Sequence, residues 1–150
     1  MLTRLFHMLS GPLVVLLAAC TSAAQAAPYV MYRDAGCPCC EDHAAHVRAE
    51  LEQEVIVRDD RPMAEVKAEA GVPAELHSCH TMEAGGYIFE GHVPAREIAR
   101  LLRERPDDIA GLAVPGMPLG SPGMEAGGRV QPYQVIAFGP GGARVYASYP

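Results

Sequence analysis

The strongest constraint in this sequence is the bunching of its cysteines, three of which occur within the segment Cys37-Pro38-Cys39-Cys40. Disulfides that hold a fold together usually join cysteines spread along the chain, and adjacent cysteines cannot easily both form bridges within one turn. A short β-branched and aromatic segment, 29–32, precedes the cluster, and Pro38 suits the first position of a helix. We therefore predict a strand-to-helix junction that carries a functional site.

The N-terminal segment 1–26 is predicted to be an export leader. Arg4 precedes an apolar run over 11–19, which at roughly ten residues is too short to span a bilayer as a helix. Residues 17–20 resemble the lipobox of bacterial lipoproteins, in which Cys20 would be lipidated and would tether the protein. A small-residue cleavage site at 24–26 is the alternative, and it would release an untethered protein. Either cleavage predicts a periplasmic location, and the lipobox adds an anchor in the outer membrane.

The segment 27–150 is predicted to form one domain with its own hydrophobic core. Without the single arginine of the leader, 11 basic residues stand against 18 acidic ones, a net charge of about −7. The sequence has no cluster of Lys and Arg, so nucleic acid is not expected as a partner. Glycine and proline are concentrated after residue 110, which predicts a loop-rich C-terminal third.

The pattern of apolar residues predicts an α/β domain with the order β-α-β-α-β-α-loop-β-β. A strand followed by a cysteine pair and a helix, early in such an order, is typical of thioredoxin-like folds. We therefore expect a thioredoxin-like domain whose central mixed sheet has four to five strands flanked by helices. Residues 74–84 and 109–130 are interpreted as loops. The predicted strands cover 29–32, 54–58, 87–90, 134–138 and 144–149, and the predicted helices cover 37–53, 62–70 and 95–103.

The chemistry of the cysteine cluster favours a soft metal ion. The N-terminus of a helix stabilises thiolate over thiol, because its free N–H groups carry partial positive charge. Cys37 and Cys40 have the spacing of dithiol redox enzymes, but Cys39 adds a third thiol that complicates a two-electron cycle. Clustered thiolates prefer Cu(I), and Cys79 is expected to approach the helix N-terminus as a fourth sulfur. A four-cysteine zinc site and a pair of disulfides are alternatives that the sequence leaves open.

Three further side chains are candidate ligands. His80 is a candidate because it is adjacent to Cys79. Met117 and Met124 lie in a segment rich in Gly and Pro, and their thioethers suit Cu(I) in an oxidising compartment. Packing against the domain is the alternative role for both methionines.

The remaining histidines are weaker candidates. His43 lies one helical turn beyond the cysteine cluster and is able to reach its edge. A surface histidine is more often solvated, so solvation is the expected state of His43 and His46. His92 falls in a predicted turn, where a loop hydrogen bond is the expected use.

Four motifs extend this pattern over the chain. They are Cys37–Cys40 after a short strand, 71–81 around Cys79, 86–94 around His92, and 111–125 with its two methionines. Together they closely resemble the CopG-type proteins of bacterial copper-resistance clusters, over about 29–146. The resemblance implies a thioredoxin-like fold, an envelope location, and copper bound at the C-x-C-C motif with help from the later cysteine. Many relatives have another residue in place of Pro38, a change that removes no ligand.

These expectations combine into a periplasmic copper-resistance protein that binds Cu(I) in a multinuclear thiolate cluster. The protein is expected either to interconvert Cu(I) and Cu(II), as a copper oxidoreductase, or to act as a passive copper chaperone. A metal-free thiol–disulfide oxidoreductase is the alternative from another class, and it would use Cys37 and Cys40. Expected partners are copper ions and other copper-resistance proteins of the envelope. The candidate metal ligands are Cys37, Cys39, Cys40, Cys79, His80, Met117 and Met124.

Overall fold

The computed structural model describes residues 27–150, which form seven β-strands and three α-helices. The predictions of a leader, of its cleavage and of lipidation at Cys20 lie outside these residues. The strands are β1 (Tyr29–Arg33), β2 (Val55–Arg58), β3 (His80–Ala84), β4 (Tyr87–Glu90), β5 (Gly111–Ala113), β6 (Tyr133–Phe138) and β7 (Arg144–Tyr149). The helices are α1 (Pro38–Leu51), α2 (Met63–Glu69) and α3 (Ala95–Glu104), with a short 3-10 turn at Ala74–Leu76.

The strands form one mixed sheet in the order β2-β1-β3-β4-β5-β6-β7. β1 pairs parallel with β2 and antiparallel with β3, and β4 pairs antiparallel with β3 and parallel with β5. In this register His80, the first residue of β3, lies opposite Arg33, the last residue of β1. Because α1 follows β1 after a short turn, the register brings Cys79 to the start of α1.

The prediction of a mixed α/β fold is confirmed, but the prediction of four to five strands was wrong. β3 lies within 74–84, where the sequence predicts a loop. Its residues His80 and Thr81 are polar yet fully buried, so apolar alternation does not mark the strand. β5 has only three residues and lies within 109–130, where the sequence also predicts a loop.

The main hydrophobic core lies between one face of the sheet and helices α1 and α3. Full burial of one Val, Leu or Ile side chain stabilises the fold by about 1.5–3 kcal/mol. These contacts therefore hold both helices firmly against the sheet. A smaller cluster lies on the opposite face of the sheet, where alternation along β5 and β6 directs every second side chain. Within 27–150, no helix has the length and apolar character needed to cross a membrane. Fully buried residues of the main core include Met31, Ala44, Val47, Met82, Phe89, Ile98, Leu101 and Leu112.

Helix α1 buries a mixed stripe rather than a purely apolar one. Its buried residues are Cys40, His43, Ala44 and Val47, with the i, i+3, i+4, i+7 spacing of one helical face. Ala49, outside this stripe, is exposed. The stripe places a histidine in a core position directly below the cysteine cluster.

Candidate metal centre

Four cysteine sulfurs meet at the N-terminal end of α1. Cys37 is the N-cap residue, Cys39 and Cys40 belong to the first turn, and Cys79 precedes β3. The four Sγ atoms lie within 4.8 Å of one another. We call this set the four-sulfur group. The group lies at the end of the helix where the free N–H groups carry partial positive charge.

Two of the four sulfurs are joined to each other. Cys37 and Cys40 form a disulfide with their Cα atoms 5.4 Å apart, while Cys39 and Cys79 are free thiols. The Cys39 Sγ lies 3.5 Å from the Cys37 Sγ. Cys40 is buried and the other three are partly exposed. Opening this disulfide would therefore double the number of thiols available in the four-sulfur group.

The free thiol of Cys79 also belongs to a second group. Its Sγ lies 3.1 Å from His80 Nδ1 and 3.1 Å from His92 Nε2. These three ligand atoms lie within 4.8 Å of one another, and we call the set the cysteine–histidine group. Burial, followed by the proximity of Cys39, raises the pKa of the Cys79 thiol to about 12. Without a metal ion this sulfur is therefore protonated at neutral pH.

Hydrogen bonds determine the tautomer of His80 and leave the lone pair of its Nδ1 facing Cys79. His43 Nε2 lies 2.9 Å from the Val93 carbonyl oxygen, which accepts only, so this nitrogen carries the proton. The other nitrogen of a neutral His43, Nδ1, then accepts from His80 Nε2 at 2.8 Å. His80 Nδ1 is left unprotonated, directed at the Cys79 sulfur. His43 thus orients the His80 ring in the way that outer hydrogen bonds orient metal-binding histidines.

His92 presents a lone pair to the same sulfur. Its Nδ1 donates to the Pro122 carbonyl oxygen at 2.8 Å, so its Nε2 is unprotonated and faces Cys79. The rings of His80 and His92 are nearly perpendicular, with centroids 4.9 Å apart. Two imidazole lone pairs therefore converge on one thiol.

Burial keeps these histidines neutral. His43, His80 and His92 are all fully buried. Burial lowers the pKa of His43 to about 3 and, as the largest cause, also lowers the pKa values of His80 and His92. The neutral imidazole is the form that binds metal ions. The expectation that His43 is solvated was wrong, because it occupies the core stripe of α1.

The loop between β5 and β6 that carries Met117 and Met124, here called the methionine loop, lies against the site at one point. Gly123 has φ +80°, and a Cβ at this position would fall 2.7 Å from the His43 backbone N and 2.8 Å from the Cys39 carbonyl oxygen. Met124 follows it directly and is partly buried. Met117 is 52% exposed and lies outside the buried groups. The loop is thus packed on the first turn of α1, while a ligand role for either methionine stays a prediction.

The sequence marks two members of the site, His43 and His92, only as weaker candidates. Each carried a usable signal: His43 is three residues after Cys40, the spacing of one helix face, and His92 falls in one of the four motifs. Neither signal reveals burial, which depends on how β3 and the methionine loop cover the rings.

The fold and the two groups define a small α/β protein with a candidate metal centre rich in cysteine and histidine. Two solved structures are similar to it over nearly their whole length. "Copper resistance protein copG- Form 2" is 44% identical with a TM-score of 0.76, over 82% of this chain and 98% of that chain. "Copper resistance protein copG- Form 1" is 42% identical with a TM-score of 0.77, over 84% of this chain and 99% of that chain. The chain belongs to the CopG family of copper-resistance proteins.

A family model described as "Protein of unknown function, DUF411" matches residues 76–124. This segment contains Cys79, both histidines of the cysteine–histidine group and the methionine loop. A search of the curated proteins found no match. The family membership agrees with the resemblance seen in the sequence motifs.

Proposed function

We propose that this chain is a periplasmic copper-resistance protein that binds Cu(I) at the joined four-sulfur and cysteine–histidine groups. The observation that carries the proposal is that Cys79 Sγ belongs to both groups. A thiolate sulfur is able to bridge two metal ions, so a shared sulfur favours a multinuclear cluster. The copper-resistance names of the two similar structures support copper as the metal.

The donor set fits Cu(I) better than zinc. Thiolates and neutral imidazoles are soft to intermediate ligands, and clustered thiolates select Cu(I). A structural zinc site is closed and tetrahedral, usually with ligands in two separated pairs. Here three of the four sulfurs come from one helix turn, and two imidazole lone pairs converge on the fourth. The ligands that we propose from this geometry are Cys37, Cys39, Cys40, Cys79, His80 and His92.

A redox role follows from the Cys37–Cys40 disulfide. Oxidation of the two thiols to a disulfide releases two electrons and two protons. The two electrons would reduce two Cu(II) ions to two Cu(I), and the protons would pass to solvent. An external dithiol would return the pair to its reduced state by thiol–disulfide exchange. A shallow pocket beside Cys37, lined by Arg33, Gly36, Pro38 and Glu41, gives such a donor access.

The same disulfide favours a second candidate function, a metal-free thiol–disulfide oxidoreductase. Cys37 and Cys40 lie at the β1-α1 junction, which supports this second function. It also supports the proposal that the β2-β1-β3-β4 part of the sheet is thioredoxin-like. Insulin reduction that survives Cys39→Ser and needs no metal would favour this function. A passive chaperone would transfer copper equally well with and without an electron donor.

The location and the lid are further parts of the proposal. We infer export to the periplasm, with residues 27–150 as the working domain and Cys20 as the lipid attachment point if the lipobox is used. Met124 is proposed as a soft ligand or a lid over the site because the loop packs on α1 through Gly123. Met117 would reach copper only after movement of the loop. Other copper-resistance proteins of the envelope would supply or receive the metal.

The test is an anaerobic titration of the fully reduced protein with Cu(I), in competition with a chromophoric chelator. We expect more than one copper per chain, with thiolate-to-copper absorption. His92→Gln should lower the ratio of copper to protein, while His77→Gln should not. His77 is the matched control, because it is exposed and hydrogen-bonded to the Val72 carbonyl oxygen. Binding of no copper, or of a single ion unaffected by His92→Gln, would contradict the proposal.

A further inference from the structure

A buried carboxylate beside the metal centre is the strongest feature that the ligand groups do not use. Glu90, the last residue of β4, is fully buried. Its Oε1 accepts from the Ser78 backbone N–H at 2.5 Å and from Lys67 Nζ at 2.5 Å. Its Oε2 accepts from the Thr81 hydroxyl at 2.6 Å. One side chain is thereby connected to three donors from two other elements and a loop.

Two of these donors flank the ligand-bearing dipeptide. Ser78 immediately precedes Cys79, and Thr81 immediately follows His80. The carboxylate therefore grips the backbone on one side of the dipeptide and a side chain on the other. A shift of either contact would move the Cys79 sulfur relative to the other three.

The segment that leads to His92, the other histidine of the cysteine–histidine group, is held next to Glu90 as well. The residue after Glu90, Gly91, has φ +70°, and its N–H donates to the His80 carbonyl oxygen at 2.8 Å. A Cβ at position 91 would overlap the Ser78 side chain and the Val114 carbonyl oxygen. His92 comes next in the chain. His80 is thus adjacent to Thr81, which bonds Glu90, and His92 is two residues after Glu90 in the chain.

Stability alone is a poor explanation for this arrangement. Burying an ion pair costs several kcal/mol per ion, and an apolar pair of similar volume is often equally stable. Lys67 is 7% exposed and Glu90 is fully buried, so this pair carries nearly the full cost. Lys67 also donates to Thr81 Oγ1 at 3.1 Å, which completes a network around the dipeptide. Fixed geometry is the property that such a network supplies and an apolar pair does not.

We propose that Glu90 is a positioning residue of the metal centre, which fixes the Cys79–His80 segment so that its sulfur and imidazole reach the copper ions. Glu90 itself does not touch the metal. The inference rests on the proposed function. It differs from a purely structural role because it predicts a change in the metal–ligand spectrum and not only in stability.

The experiment compares two buried carboxylates. Glu97 on α3 is also nearly fully buried, and it pairs with Arg96 and Arg100 and accepts a hydrogen bond from the Tyr149 hydroxyl. We would prepare Glu90→Gln and Glu97→Gln as full chains, reduce them, and measure Cu(I) affinity and the absorption of the copper-saturated protein. Thr81→Val is the milder variant, which removes one arm of the network if Glu90→Gln fails to fold.

Partners of metal ligands typically contribute about 10–100-fold in affinity. We expect a loss of this size for Glu90→Gln, a smaller loss for Thr81→Val, and altered thiolate-to-copper absorption in both. Glu97→Gln should stay within about twofold of the wild type. Folded Glu90→Gln or Thr81→Val with wild-type affinity and spectrum would overturn the inference, as would an equal loss in Glu97→Gln. Failure of the wild type to bind copper would instead overturn the proposed function.

Discussion

The two groups that share Cys79 differ in how much they are able to change. The four-sulfur group lies at the partly exposed start of α1, and half of its sulfurs are already joined in a disulfide. The cysteine–histidine group lies below it among fully buried side chains, and its tautomers are fixed by carbonyl acceptors. The upper group is therefore variable in oxidation state, while the lower group is fixed in geometry and charge.

This contrast separates two tasks. A set of sulfurs that alternates between a disulfide and free thiols is suited to electron exchange and to the exchange of metal with a partner. A rigid neutral group is suited to holding an ion without reorganisation. The shared sulfur of Cys79 couples the two, so a change in the upper group is felt by a metal ion in the lower one.

The largest effect is expected from removing the shared sulfur. Cys79→Ser takes a ligand from both groups, whereas Cys39→Ser takes one from the upper group only. Residues that hydrogen-bond to metal ligands contribute up to about 100-fold in metal affinity. We expect Cys79→Ser to lower Cu(I) affinity by more than this, because it removes a ligand itself. Cys39→Ser should have a smaller effect. Competition titration of both reduced variants measures the difference, and equal losses would remove the distinction between the groups.

Oxidation should lower the capacity for copper without abolishing it. With Cys37 and Cys40 in a disulfide, Cys39, Cys79 and the two imidazoles remain as donors. We expect the oxidised protein to bind fewer Cu(I) ions than the reduced protein, as measured by metal analysis after desalting.

Two variants sharpen the oxidation result. The double variant Cys37→Ser/Cys40→Ser should behave like the oxidised protein even under reducing conditions. His92→Gln should remove the copper that the oxidised wild type retains. An oxidised protein that binds as much copper as the reduced one would show that Cys37 and Cys40 are not copper ligands.

Acid should destabilise the metal-free protein through the buried His43 beside the lower group. The unfolded pKa of a histidine is about 6.5, and burial lowers the folded pKa of His43 to about 3. Between these values the unfolded chain binds more protons, so the free energy of unfolding falls as pH falls. His43 therefore contributes about 1.4 kcal/mol per pH unit in this window.

Urea unfolding between pH 7 and pH 4 measures this slope. Replacing His43 by Gln should reduce the slope by about one proton, because one buried base is removed. A slope that His43→Gln does not alter would show that the ring is not held neutral in the folded state.

The smallest effect concerns the loop that covers both groups. Gly123→Ala adds a Cβ that meets the backbone of His43 and Cys39 at a positive φ, whereas Gly127 has φ +58° and open space around it. Each non-glycine residue in this conformation costs about 1–3 kcal/mol. We expect Gly127→Ala to show this cost alone, and Gly123→Ala to show a larger one together with faster loss of copper to a chelator. Equal effects of the two variants would mean that the loop does not cover the site.

The sequence predicted the upper half of the centre far better than the lower half. Spacing along one helix is enough to group Cys37, Cys39 and Cys40, because residues in a first turn are neighbours whatever the rest of the fold does. The approach of Cys79 required a resemblance or a topology, and the β1–β3 register supplies its physical reason.

The lower half depends on burial, which sequence patterns report only for apolar residues. His43 and His80 lie in core positions where a pattern search expects apolar side chains, so solvation and a loop were the expected states. Strand β3 was missed for the same reason. Polar residues in a core usually mark function, and here the failure of the pattern coincides with the metal centre.

X-ray absorption at the copper edge of the reduced, Cu(I)-loaded protein tests most directly whether Cys79 joins two groups of ligands. We expect sulfur and nitrogen scatterers together with a short copper–copper vector, and loss of that vector in Cys79→Ser. Isolated copper ions bound by sulfur alone, with the same spectrum in Cys79→Ser and in the wild type, would contradict it.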